Sequence, residues 1–165
     1  MDHIWTPWRM KYIQENQPEN ECIFCLAAES QEDEQHLIFY RGARVYMILN
    51  RYPYTSGHVM CVPYVHQSRL HDLSEAARAE IMELVSRSVE VLQSVYAPDG
   101  FNVGLNLGEV AGAGVADHLH MHIVPRGGGD TNFMTSVGET RVLPEALDET
   151  YRRVKEAWDE LDNVR

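Results

Sequence analysis

His118-Leu-His-Met-His-Ile-Val-Pro125 is the most informative run in this 165-residue chain. Histidine and apolar residues alternate with a period of two, the mark of a strand with unlike faces. On a strand over His118–Val124, the side chains of His118, His120 and His122 project together. Leu119, Met121 and Ile123 turn into the core, and Pro125 ends the strand. Three imidazoles in a row make a poor core, because each brings ring nitrogens that need partners when buried. A merely solvated face would be served equally well by Ser, Thr or Lys. Two chemistries fit the row. One is a three-histidine metal centre. The other is nucleophilic catalysis, in which a neutral imidazole attacks phosphorus and forms a covalent intermediate. A reference pKa of about 6.5 keeps much of such a ring neutral at physiological pH.

The run just upstream is of the same kind. Phe101, Val103, Leu105 and Leu107 alternate with Asn102, Gly104 and Asn106, which predicts a strand over 101–107. A Gly-rich loop, Gly108 to Gly114, joins it to the histidine strand. Further back, 36–40 (HLIFY), Arg44–Asn50 and His58–Val62 read as strands, with a Pro- and Gly-punctuated connection over 51–57. Between the third and fourth strands, Ile81, Leu84, Val85, Val89, Leu92 and Val95 recur at helical spacing. Asp72 or Ser74 caps that helix, and Pro98 and Gly100 stop it. A last helix starts near Pro144 and buries Leu147, Tyr151, Val154, Trp158 and Leu161. Residues 28–36 are almost wholly polar and read as a solvated loop. Strands without βαβ alternation predict an α+β fold: about five antiparallel strands, one long helix on one face, the histidines on the other, and a C-terminal helix.

The length predicts one domain over 1–165. It divides into an N-terminal arm over 1–36, a core over 37–130, and a strand and helix over 131–165. No apolar run approaches the ~20 residues that cross a bilayer. The start, Met-Asp-His-Ile-Trp, lacks a basic stretch followed by an apolar run. The expectation is a cytoplasmic protein. With 25 acidic against 14 basic residues the net charge is -11, which argues against nucleic acid or an anionic membrane as partner. A small anionic ligand needs only local donors. Cys22 and Cys25 form a C-x2-C pair, read as a metal site or a redox pair, whereas Cys61 lies in an apolar segment and reads as core.

The pattern His-φ-His-φ-His-φ-φ, with φ apolar, is met at every position from His118 to Val124 and resembles the signature of the histidine-triad superfamily. Asn50-Arg-Tyr-Pro-Tyr-Thr-Ser-Gly-His-Val59, then Val62-Pro63 and His71-Asp-Leu73, resemble the nucleotide-binding half of the same fold. Trp5-Thr-Pro-Trp-Arg-Met10, Gly100–Gly108 and Pro125–Phe133 look most like the diadenosine tetraphosphate phosphorylase branch. The resemblance implies a homodimer, paired across the long helix and a strand edge, that acts on an AMP-containing polyphosphate. It implies His120 as nucleophile on the α-phosphorus, His122 as a hydrogen-bonding partner of the phosphate, and Asn106 as its orienter. It implies Asn50 at the ribose, His58 lining the same pocket, and the Gly112 and Gly114 backbone near the phosphates. The nucleotidyl group would then pass to phosphate or, in a hydrolase of the same superfamily, to water. One departure stands out. Relatives usually carry Ser or Thr in the loop before the triad, and here Ala111-Gly-Ala-Gly-Val-Ala-Asp117 has neither. That departure leaves room for a nucleotide-binding sensor with little turnover.

A zinc-bearing subset of the superfamily gives the C-x2-C pair its meaning. The matching ligands here are Cys22, Cys25, His66 and His118, a set suited to tetrahedral Zn2+. His71 competes with His66 for the third place. His3 and His36 read as solvated, and Trp5, Trp8, Arg9 and Lys11 as a cover for substrate or a packing surface of the arm.

Overall fold

The structure is a computed structural model, and it describes residues 21–128, 130 and 145–164. Five strands form one antiparallel sheet: β1 Ile38–Arg41, β2 Val45–Leu49, β3 Val59–Pro63, β4 Gly100–Leu105 and β5 Met121–Arg126. Their spatial order is β1-β2-β3-β5-β4, which places the histidine strand between β3 and β4 and leaves β4 on an edge. The helices are α1 Ile23–Glu29, α2 Asp33–His36, α3 Glu75–Tyr96 and α4 Leu147–Val164. This is the α+β arrangement that the strand and helix periods predict.

Residues paired across an antiparallel ladder share a face. Ile48 pairs with Met60, Met60 with His122, and Gly104 with His122, so these residues line one side of the sheet. Val59, Cys61 and Ile123 occupy the opposite side, fully buried beneath α3. Ser74 caps α3 by accepting the Ala77 amide at 3.1 Å, while Asp72 is taken up in a 3-10 turn and pairs with Arg69. The buried stripe of α3 is broader than its apolar pattern, because α4 covers a second flank. Arg87 and Ser88 are buried with Val91 and Leu92, and Trp158 of α4 stacks on the Arg87 guanidinium at 4.4 Å. Tyr151, Val154 and Trp158 of α4 are buried as their spacing predicts. The strand expected within 131–144, the start of the last helix near Pro144, and Trp5, Trp8, Arg9 and Lys11 lie outside the described residues.

Two expectations need correction. The polar stretch 28–36 is not a bare loop: it completes α1 and forms α2. Arg41 makes the difference. Its guanidinium donates to the carbonyls of Ala27, Ala28 and Ser30 and to Asp33, so carbonyls left over at the end of α1 find a donor. The histidine strand is also shifted, to Met121–Arg126 instead of His118–Val124. Pro125 sits inside it, opposite Phe101. The ladder to β3 ends at Ile123, and the Pro125 carbonyl accepts instead from the Thr55 hydroxyl at 2.8 Å, so the absent N–H removes no rung. His118 to His120 run on beyond the ladder, tied by the Leu119 amide to the Gln67 carbonyl at 2.7 Å.

Candidate active site

The three histidines keep a common side although only His122 lies within β5. The His120 and His122 ring centroids are 4.9 Å apart, and Phe24 of α1 lies 5.4 Å from the His118 ring and 5.0 Å from that of His120. Each ring has one nitrogen committed, and the partner identifies its tautomer. The His120 Nδ1 is 2.8 Å from the His118 carbonyl. A carbonyl only accepts, so Nδ1 carries the proton and Nε2 keeps its lone pair. His120 is buried, and burial lowers its pKa against the opposing pull of that hydrogen bond. The ring is therefore neutral at physiological pH.

His122 is fixed in the other sense. The Tyr54 amide donates to His58 Nδ1 at 3.1 Å. That nitrogen must be bare, so His58 Nε2 carries the proton and donates to His122 Nδ1 at 2.9 Å. A neutral His122 then holds its proton on Nε2. Asn50 steadies the same relay: its side-chain amide nitrogen lies 3.3 Å from His58 Nδ1, and its oxygen accepts the Tyr52 amide at 2.9 Å. His120 and His122 thus stand side by side as a bare nitrogen and an N–H donor.

Both rings open on a cavity of about 390 Å³ between α1 and the sheet, within the range of small-ligand sites. Its apolar lining comes from Ile23, Phe24, Leu26 and Ala27 of α1 with Ile48 and Met60 of the sheet, and its polar lining includes Asn50, Arg51, His120 and His122. Gly114 and Val115 of the Gly-rich loop reach its wall. Asn106 and Gly112 do not; they bond one another, Asn106 Nδ2 to the Gly112 carbonyl at 3.4 Å. His58 does not line the cavity either, but stands behind His122, fully buried. His36, read from the sequence as solvated, is half-buried on the cavity wall. The sequence reading also passed over Phe24, whose position between the two cysteines was the available signal, and Tyr54, whose ring lies 4.6 Å from that of His58.

Cys22, Cys25, His66 and His118 come together, with one ligand atom from each within 4.8 Å of the others. Cys22 Sγ is 3.3 Å from His118 Nδ1, Cys25 Sγ is 3.3 Å from His66 Nδ1 and 3.6 Å from His118 Nδ1. Tetrahedral zinc, with Zn–S about 2.3 Å and Zn–N about 2.0–2.1 Å, sets sulfur and nitrogen about 3.6 Å apart. The donors therefore fit a metal of that kind. His118 Nε2 donates to the Pro63 carbonyl at 2.8 Å, which leaves Nδ1 bare and orients the ring as a ligand. Burial, with Cys22 close by, pushes the Cys25 thiol up to about 11; a bound cation would reverse that. His71 stays outside the cluster, exposed and paired with Asp72.

The chain is similar to known proteins along most of its length. The HIT domain matches residues 31–129. An AP-4-A phosphorylase of Mycobacterium tuberculosis is 42% identical over 96% of this chain and 85% of that protein. An adenosine 5'-monophosphoramidase of Candida albicans is 26% identical over 87% of this chain and 95% of its own length. Among solved structures, a Zn-bound histidine triad family protein from Mycobacterium smegmatis superposes with a TM-score of 0.70 at 26% identity, covering 88% of this chain and 98% of that one. With the family model matched over residues 31–129 and a relative 42% identical over 96% of this chain, the chain belongs to the HIT domain family.

Proposed function

We propose that this protein is a nucleotidyltransferase that cleaves dinucleoside polyphosphates of the diadenosine tetraphosphate type by phosphorolysis, through a nucleotidyl group held on His120. The observation that carries the reading is the pair of opposite tautomers: His120 with a bare Nε2 beside His122 with an Nε2 proton, on one cavity. His120 Nε2 attacks the α-phosphorus, and the P–O bond to the remaining polyphosphate breaks with its electron pair. Phosphate oxygen then attacks the same phosphorus, the P–N bond breaks, and a nucleoside diphosphate leaves with His120 restored. The His122 N–H stabilises charge on the phosphoryl oxygens, with the Gly114 backbone on the cavity wall as a further donor, whereas Asn106 and Gly112 serve by bracing the loop behind it. Asn50 takes the ribose hydroxyls, and the apolar wall from α1 takes the base. The match to the Mycobacterium tuberculosis phosphorylase supports this substrate class.

Water is the competing acceptor, a reading favoured by the loop 111–117, which offers no hydroxyl to hold a second phosphate. Diadenosine tetraphosphate supplied with and without orthophosphate, with products identified by mass, separates the two. Phosphorolysis gives ADP and ATP, hydrolysis gives AMP and ATP, and no turnover leaves a nucleotide-binding sensor.

The cluster of Cys22, Cys25, His66 and His118 holds Zn2+ in this reading, supported by the donor set, by the spacing of its atoms and by the zinc of the Mycobacterium smegmatis relative. Bound zinc supplies a fixed cross-link, while His118 holds His120 through its carbonyl. Thiolates kept reduced for a metal belong to a cytoplasmic setting, and among the described residues no helix is long and apolar enough to cross a membrane. The edge strand β4 carries exposed Val103, with Leu107 just beyond it and Met82 exposed on α3. We assign these to a homodimer contact, which sedimentation will test.

A further inference from the structure

The metal-binding cluster and the substrate cavity share one short helix. Cys22 and Cys25 supply two donors of the cluster, and Ile23, Phe24, Leu26 and Ala27, interleaved with them, form the apolar wall of the cavity. A helix of seven residues does not hold itself in water, and Cys22 at its N-cap makes no side-chain capping bond. Tertiary ties must hold α1. Arg41 grips its C-terminal end through the carbonyls of Ala27, Ala28 and Ser30. Tyr46 donates to the Phe24 carbonyl at 2.8 Å in the middle. The N-terminal end depends on Cys22 and Cys25 facing His118 and His66. Phe24 bears directly on both His118 and His120, and the His118 carbonyl holds His120.

We propose that a divalent metal in this cluster and a nucleotide in the cavity are thermodynamically linked through α1, each raising the affinity for the other. The inference rests on the nucleotide reading of the cavity. Without metal, the N-terminal half of α1 keeps its packing and the Tyr46 hydrogen bond to Phe24 but loses its cross-link to His66 and His118, and a nucleotide must order that wall as it binds. With metal, the wall is already in place, and less of the binding free energy goes into ordering it. Linkage is reciprocal, so the factor by which metal tightens the nucleotide must equal the factor by which the nucleotide tightens the metal.

The test uses AMP and zinc on the full chain. Calorimetry gives the AMP affinity of zinc-loaded and zinc-free protein, and competition with a chromophoric chelator gives the zinc affinity with and without saturating AMP. The expected result is a shift of about tenfold in each, equal within error. Equal AMP affinity in the two forms would overturn the linkage and leave the nucleotide reading intact. Failure of the zinc-loaded protein to bind AMP would overturn both. Phe24→Ala removes the shared wall and keeps all four ligands. Its zinc affinity is expected to lose the response to AMP. If Phe24→Ala keeps the full response, the coupling runs through global folding, and the proposal about α1 is wrong. That arm decides even if zinc-free protein unfolds.

Discussion

The two ends of the histidine row make a useful contrast. His118 and His122 are the same residue type, four positions apart on one side of the chain, yet they are prepared for opposite tasks. His118 gives its Nε2 proton to the Pro63 carbonyl and turns a bare Nδ1 to two sulfurs. His122 receives a proton's worth of hydrogen bond at Nδ1 from His58 and keeps its own on Nε2. Neither the residue nor the spacing assigns these roles. The partner of the second nitrogen does, and that partner comes from β3 in one case and from a relay ending on the Tyr54 amide in the other. His120, between them, depends on the backbone alone. A ring whose Nδ1 is held by the backbone carbonyl two residues before it has little freedom to choose another tautomer.

The contrast can be broken most severely at its centre. His120→Asn removes the attacking nitrogen and is expected to lower kcat about ten-thousandfold while AMP still binds. Turnover by product mass and AMP titration together check it. A variant that keeps turnover removes His120 from the chemistry.

The metal end comes next. Cys22→Ala takes away one of four donors and leaves a three-donor set, of which only His118 is buried. Zinc content by elemental analysis should fall well below that of the parent, and Tm by about 10 °C, taking roughly 3 kcal/mol for the lost site. A variant with unchanged zinc and Tm would show that Cys22 does not hold the metal.

The donor end yields a smaller effect and a sharper diagnosis. His58→Leu removes the proton that fixes His122 Nδ1 as acceptor, and kcat should fall about a hundredfold with KM nearly unchanged. His58→Gln offers an amide N–H in that direction and should recover part of the loss. Equal defects in both variants, or a change in KM alone, would mean that His58 acts by packing and not by setting a tautomer.

Much of this site was open to sequence reading, for a physical reason. Alternation has a period of two whatever the partner strands are, so His118, His120 and His122 are seen to share a side, and Ile123 its opposite, from the run itself. Strand limits depend on the partner. The last rung is Met121, opposite Cys61 on one side and Leu105 on the other, so His118–His120 lie beyond the ladder. Pro125 stays in because β3 pairs no further than Ile123 while β4 continues opposite it, facts carried by residues distant in sequence. The C-x2-C pair with His66 and His118 was found by matching, and the structure brings those four together. His36 and Tyr54 escaped, since no pattern in their own neighbourhood marks a side chain that meets the site only after folding, and Phe24 had only its place between Cys22 and Cys25 to mark it. The helix α2 escaped too, because the Arg41 guanidinium that organises it follows it in sequence.

The smallest effect separates the two ends by acid. Behind Asn50 and His58 lies a second, smaller cavity whose far wall includes Glu145, Leu147 and Thr150, so the relay rests on the start of α4. Glu145 is held by the Thr150 and Tyr96 hydroxyls, each at 2.6 Å, and by Arg153. Burial alone would raise its pKa, but these three partners outweigh burial and hold the carboxyl below its usual value. A depressed folded-state pKa means stability that is present above the unfolded value of about 4.3 and lost as pH falls through the folded one. Glu145→Gln should therefore melt lower than the parent at pH 7, by a few degrees, and the gap should close as pH drops below 5. Melting curves across that range decide the matter. A gap that stays constant into acid would mean that Glu145 contributes by shape and not by charge, and that acid sensitivity belongs to the cysteine-histidine end alone.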